Sequence, residues 1–171
     1  ALGLKEQDRT GWILRGIADP ESVADHSWGT AMLCLACAYE AGIDPLRAAS
    51  MAVVHDLAEA RTGDVPTRFA AMADGALRER KKREETDAMA SLAAGLHHEP
   101  AVLVQSLWTE YEGRQSPTAL FVRDMNLIDM CMQAYRYERE ERYRANEGDE
   151  HFPDFDGLDE FLATSQARLA T

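Results

Sequence analysis

Apolar residues recur at helical spacing through most of this 171-residue chain, and no run alternates apolar with polar residues over strand length with β-branched enrichment. This pattern predicts an all-α fold. The spacing predicts a first helix from Lys5 to about Arg15, broken by Gly16, Asp19 and Pro20. Ser22 has the position of an N-cap, with Asp25 as its capping-box partner, for a helix from about Val23 to Ala41 that Gly42 ends. Asp44 and Pro45 open a third helix, which carries AASMAVVHDLAEA to a stop at Thr62-Gly63. A loop with Pro66 leads to a charged helix from about Gly75 to Leu96. Pro100 opens a helix ending near Gly113, and Ser116-Pro117 starts a long one reaching about Tyr143. A loop from Asn146 to Gly157 precedes a terminal helix, Leu158 to Leu169.

A hydrophobic content of 46% is enough for one substantial core, so the expectation is one domain over residues 1–171 with the terminal helix packed on it. Eighteen basic against 30 acidic residues give a net charge of −12, which argues against a nucleic-acid polymer as partner. An anionic substrate then requires a local positive site. No apolar run approaches the roughly 20 residues of a membrane span, and the first residues lack the apolar stretch of a signal peptide, so the expected setting is the cytoplasm. Cys34, Cys37 and Cys131 are too few for a disulfide framework, and Cys34-Leu-Ala-Cys37, which spells CxxC inside an apolar helical stretch, reads as buried small hydrophobes. The charge run RERKKREE reads as a solvated helix face.

The chemistry concentrates around an adjacent His55-Asp56 pair in an otherwise apolar helix. A carboxylate buried there costs several kcal/mol unless it is paired or bound to a metal, typically about 3–5 kcal/mol when a partner is missing. Glu59 lies within one helical turn of both residues, and Thr62-Gly63-Asp64 delivers another carboxylate from the following turn. His26 follows an acidic residue near the start of a second apolar helix. Two imidazoles with carboxylates suit a divalent cation that keeps positions open for water.

The blocks PESVADHS and MAVVHDLAEARTGDVPT resemble the HD-domain 5'-deoxynucleotidases, with similarity running from about Gly11 to Glu138. The resemblance implies a single HD-domain bundle of about six or seven helices. It implies a divalent cation (Mn, Co, Ni, Zn, Fe or Mg) held by His26, His55 and Asp56, with a fourth ligand from the long later helix at Asn126. It further implies catalytic parts for Glu59 and Asp64 around the attacked phosphate. Substrate contacts are implied for Trp12, beside the sugar, and for His26, Asp64, Thr67 and Arg68. A homodimer is the expected assembly, since relatives pair through helices.

Two positions depart from the family pattern. The family places an arginine just before the tryptophan, where this chain has Gly11; Arg9 or Arg15 is then expected to meet the phosphate. The family's fourth metal ligand is an aspartate, where this chain has Asn126, whose carbonyl oxygen can still coordinate but carries no charge. Asp124 points to nearly the opposite side of that helix, and Asp129 shares the face of Asn126 about one turn, roughly 4.5 Å, away.

The expected activity is metal-dependent hydrolysis of a (deoxy)nucleoside 5'-monophosphate to nucleoside and phosphate. Two other readings accompany it: an HD phosphohydrolase acting on a nucleotide-analogue biosynthetic intermediate, and a catalytically weakened nucleotide-binding protein, the latter motivated by Asn126 and Gly11.

Overall fold

The structure, a computed structural model, describes residues 2–65, 75–142, 158, 161–163 and 165–166. The fold is all-α. Among the described residues the only β-type pairing is an isolated antiparallel bridge between Asp8 and Ser22. Helices in chain order are α1 (Thr10–Ile13), α2 (Val23–Cys37), α3 (Pro45–Val54), α4 (Glu59–Thr62), α5 (Gly75–Ala93), α6 (His98–Gly113) and α7 (Pro117–Arg139), with a 3-10 turn at Leu2–Lys5 before them. No helix among the described residues is long and apolar enough to cross a membrane.

The first predicted helix is split in the structure. The 3-10 turn stops at Lys5, and Gln7 to Arg9 run extended against the segment before α2, with Arg9 N donating to Glu21 O and Val23 N to Gln7 O. This pairing consumes the amides that a continuous helix would have used, and it carries Arg9 inward. Ser22 then caps α2 as its sequence signature requires: its Oγ accepts from Asp25 N at 3.1 Å while Asp25 Oδ2 accepts from Ser22 N at 3.0 Å. The helix closes earlier than its apolar pattern suggests, at Cys37, and Ile43 N returns to Ala38 O across Gly42, whose φ of 70° favours glycine.

The main core lies where α2 and α7 meet α3, with α5 and α6 closing the side. Cys34, Ala48, Met51, Ala52, Ala119 and Val122 are fully buried there. Small residues on α3 let α2 approach closely, which brings the ends of both helices to one place. A second cluster gathers Trp12, Ile17, Ala134, Tyr137 and Leu158. The described part of the predicted terminal helix, Phe161 to Ala163 and Ser165-Gln166, is helical, and Phe161 packs on this second cluster.

Candidate metal centre

The helix bearing His55 and Asp56 is not continuous, as the sequence pattern had suggested. Helix α3 ends at Val54, residues 55–58 form a turn closed by i to i+3 hydrogen bonds such as Glu59 N to Asp56 O, and α4 follows for one turn. The cause is local: His55 Nδ1 donates to the Ala52 carbonyl at 2.6 Å, the acceptor that the Asp56 amide would use in an unbroken helix. The kink aims His55 and Asp56 into the same space. Gly63, at φ 81°, ends α4 and turns Asp64 back over α1, where its carboxylate accepts the Thr10 amide at 2.6 Å and its carbonyl accepts the Thr10 hydroxyl at 2.9 Å.

Three would-be ligand atoms converge. His26, fully buried in the first turn of α2, and His55 set their rings edge to face with centroids 5.4 Å apart. His55 Nε2 stands 3.0 Å and His26 Nε2 4.0 Å from Asp56 Oδ2. Neither Nε2 has a well-aligned hydrogen bond among the described residues, although His55 and Asp56 form a close ion-pair contact. His26 Nδ1 lies 2.7 Å from Asp129 Oδ2, and an ionised carboxylate can only accept, so the ring proton sits on Nδ1. Both imidazoles thus commit Nδ1 to an acceptor and turn Nε2 toward the Asp56 carboxylate, the His55 Nε2 close enough to share a proton with it. Buried lone pairs facing one another without a proton are unfavourable, and a cation between them removes the conflict. The donor set fits a divalent metal.

Charge in the site follows burial and neighbours. Burial, with the nearby Arg9 and His55, holds His26 well below the usual imidazole range, so it is neutral. Burial also works against charge on His55, but the Asp56 carboxylate and the Ala52 carbonyl outweigh it and raise its pKa. Asp56 resists the effect of burial because His55, Arg9 and His26 keep it far below the usual carboxylate range. Glu59 behaves oppositely. Burial and the charges of Asp56 and Asp64 push it up to about 10, and its Oε2 has no hydrogen-bond partner among the described residues. Burial likewise lifts Asp129 to about 6 and Glu21 to about 7.

Of the two candidate arginines, Arg9 meets the centre, with Nη1 3.4 Å from Asp56 Oδ2 and within the field of Glu59 and Asp64. Arg15 is wholly buried at the end of the first helical segment. Asn126 lies on α7, donates through Nδ2 to the Tyr111 hydroxyl at 3.0 Å, and reaches the His26 ring. Trp12 is 1% exposed; its ring lies against Tyr137 and Phe161, and its Nε1 donates to Glu21 Oε1 at 2.9 Å. Thr67 and Arg68 lie outside the described residues. Sequence reasoning missed Tyr111, Glu21 and the contact of Asp129 with His26. The last pair is 103 positions apart, and no local spacing could reveal it.

Residues 2–157 match the family model described as HD domain. The chain is 35% identical to the 5'-deoxynucleotidase HDDC2 of Danio rerio, over 96% of this chain and 84% of that protein. It is 38% identical to the Bos taurus protein of the same name, over 79% of this chain and 63% of the other. A solved structure, a conserved hypothetical protein from Pyrococcus furiosus, superposes with a TM-score of 0.66 at 26% identity, covering 98% of this chain and 93% of that one. Sequence and fold therefore agree, and the chain belongs to the HD-domain family.

Proposed function

We propose that this protein is a metal-dependent phosphohydrolase that releases phosphate from deoxynucleoside 5'-monophosphates, the activity named for its relatives. The observation that carries the reading is the convergence of two buried imidazole Nε2 atoms, of His26 and His55, on the Asp56 carboxylate. In this proposal His26, His55 and Asp56 hold the cation, and the Asn126 side-chain carbonyl is the fourth protein ligand. A divalent cation bound there supplies Lewis acidity to water and to a phosphate oxygen at neutral pH.

The chain's own groups divide the remaining work. Arg9 gives the acidic protein its local positive site and orients the phosphate dianion through charge-assisted hydrogen bonds. Attack of water on phosphorus, opposite the 5'-oxygen, breaks the P–O5' bond; the released phosphate keeps one proton of that water, the other restores the acid, and the departing oxygen takes its proton from the acid. Glu59, whose pKa burial and the Asp56 and Asp64 charges raise, is the carboxyl that donates it. Asp64 is anchored by Thr10 and is better suited to orienting than to proton transfer. Trp12, itself buried, acts on the sugar side through Glu21, which its Nε1 holds. Thr67 and Arg68 complete the nucleotide contacts.

The same proposal places the protein in the cytoplasm as a homodimer. Exposed apolar side chains on α2 (Trp28, Met32 and Leu35) and on α7 (Met132 and Tyr135) support pairing through helices.

The test is phosphate release from a panel of nucleoside and deoxynucleoside monophosphates after chelation, with Mn, Co, Ni, Zn and Mg resupplied in turn. Metal-restored release that favours deoxynucleotides is expected. No release with any metal, while nucleotide still binds, would instead favour a binding protein.

A further inference from the structure

The nearest polar partner of His26 belongs to none of the ligand positions. Asp129, on α7, places Oδ2 2.7 Å from His26 Nδ1, and it does so by crossing directly over Gly29 of α2. A Cβ built at Gly29 would overlap Asp129 Oδ1 and stand 2.9 Å from its Cγ. Gly29 lies one helical turn beyond His26 on the same side of α2. The absence of a side chain at 29 is therefore what admits the carboxylate to the imidazole.

We infer that Asp129 is a positioning residue of the metal centre, which fixes His26 with Nε2 turned to the cation, and that Gly29 is the gap in α2 that this requires. The inference rests on the metal reading above. A neutral imidazole carries one N–H; committing it to Asp129 leaves the lone pair on Nε2, locks the ring against rotation and increases the basicity of the ligating nitrogen. His55 receives the same service from the Ala52 carbonyl, a neutral and purely local acceptor. His26 has its Nδ1 facing α7 instead, and a side chain of that helix meets it.

The overlap at Gly29 involves the tip of a side chain and not backbone. An alanine at 29 would displace the Asp129 carboxylate at little cost to α2 itself, since alanine is the better helix former. A competing arrangement is visible: Glu21, His26 and Asp129 also bring donor atoms within 4.8 Å of one another and could hold a cation of their own. The 2.7 Å contact of Nδ1 with Asp129, with Nε2 turned toward Asp56, argues for the positioning role.

The experiment is titration of Mn(II) into the chelator-treated full chain and into Asp129→Asn, Gly29→Ala and the double variant, with thermal melts of each. Histidine 15N NMR of the metal-free unaltered chain accompanies it. Expected are an Nδ1–H tautomer for His26, affinity lowered roughly 10–100-fold by each single change, and no further loss in the double variant. Gly29→Ala should melt close to the unaltered chain. Unchanged affinity in both single variants, an Nε2–H tautomer, or a second cation lost with Asp129 would overturn the inference while leaving the His26, His55 and Asp56 site standing. Absence of Mn(II) binding by the unaltered chain would overturn both.

Discussion

Asn126 donates to the Tyr111 hydroxyl at 3.0 Å, and Tyr111 in turn sets its ring edge-on to His55 with centroids 5.2 Å apart. A phenol can accept or donate, so an aspartate at 126 would keep the contact, with the hydroxyl rotated to donate. With neutral imidazoles and one carboxylate, a divalent cation here keeps one uncompensated positive charge. Asn126→Asp should therefore raise metal affinity and kcat, while the present form holds phosphate more tightly and turns over more slowly. Metal titration and single-turnover phosphate release on both forms check this; equal affinity and rate would mean that position 126 is not a ligand.

Glu59 ties activity against stability. Its ordinary value is 4.5 and the folded site raises it to about 10, so between those values the folded protein keeps a proton that the unfolded chain has lost. Stability then falls as pH rises through that window, by at most about 1.4 kcal/mol per pH unit. Glu59→Gln should abolish or severely reduce turnover and yet flatten this dependence, melting higher than the unaltered chain at pH 8 with chelator present. Thermal melts at pH 5 and pH 8 measure it; parallel behaviour of the two proteins would place Glu59 in an ordinary solvated setting.

Metal affinity should depend on pH with a defined sign. Asp56 and the Ala52 carbonyl raise the pKa of His55, and only the deprotonated ring binds a cation, so affinity rises with pH until that proton is gone. Below the His55 pKa the slope should approach about tenfold per pH unit. Mn(II) titrations from pH 5.5 to 8, in buffers of different ionisation enthalpy, read both the slope and the proton released. A flat profile would exclude His55.

Trp12 calls for a conservative variant, because removing so buried a ring costs about 3–5 kcal/mol in its own right. Trp12→Phe keeps the packing against Tyr137 and Phe161 and deletes the Nε1 donation to Glu21. The ratio of kcat/KM for dAMP to that for AMP should fall. An unchanged ratio with an intact fold would leave Trp12 a core residue only.

Much of the site could be read from the chain because its parts are local. His55, Asp56 and Glu59 lie close together in sequence, Gly63 marks the reversal that returns Asp64, and Ser22 with Asp25 announces the start of α2 four residues before His26. The break at residues 55–58 could not be read, since the pattern AASMAVVHDLAEA is helical throughout and the interruption comes from a histidine side chain taking a backbone acceptor. Nor could the choice between Arg9 and Arg15, which turns on the extended pairing of residues 7–9 with 21–23. Asp129 was visible only as a residue on the face of Asn126; its partner on α2 is set by helix packing.

The central claim is that His26, His55 and Asp56 together hold one catalytic cation. The measurement that tests it most directly is titration of Mn(II) or Co(II) into the chelator-treated chain alongside His55→Ala and Asp56→Ala, with helical content followed by circular dichroism. Saturation at one cation per chain, lost in both variants while helicity is kept, is the predicted result. Full occupancy retained in either variant would contradict it.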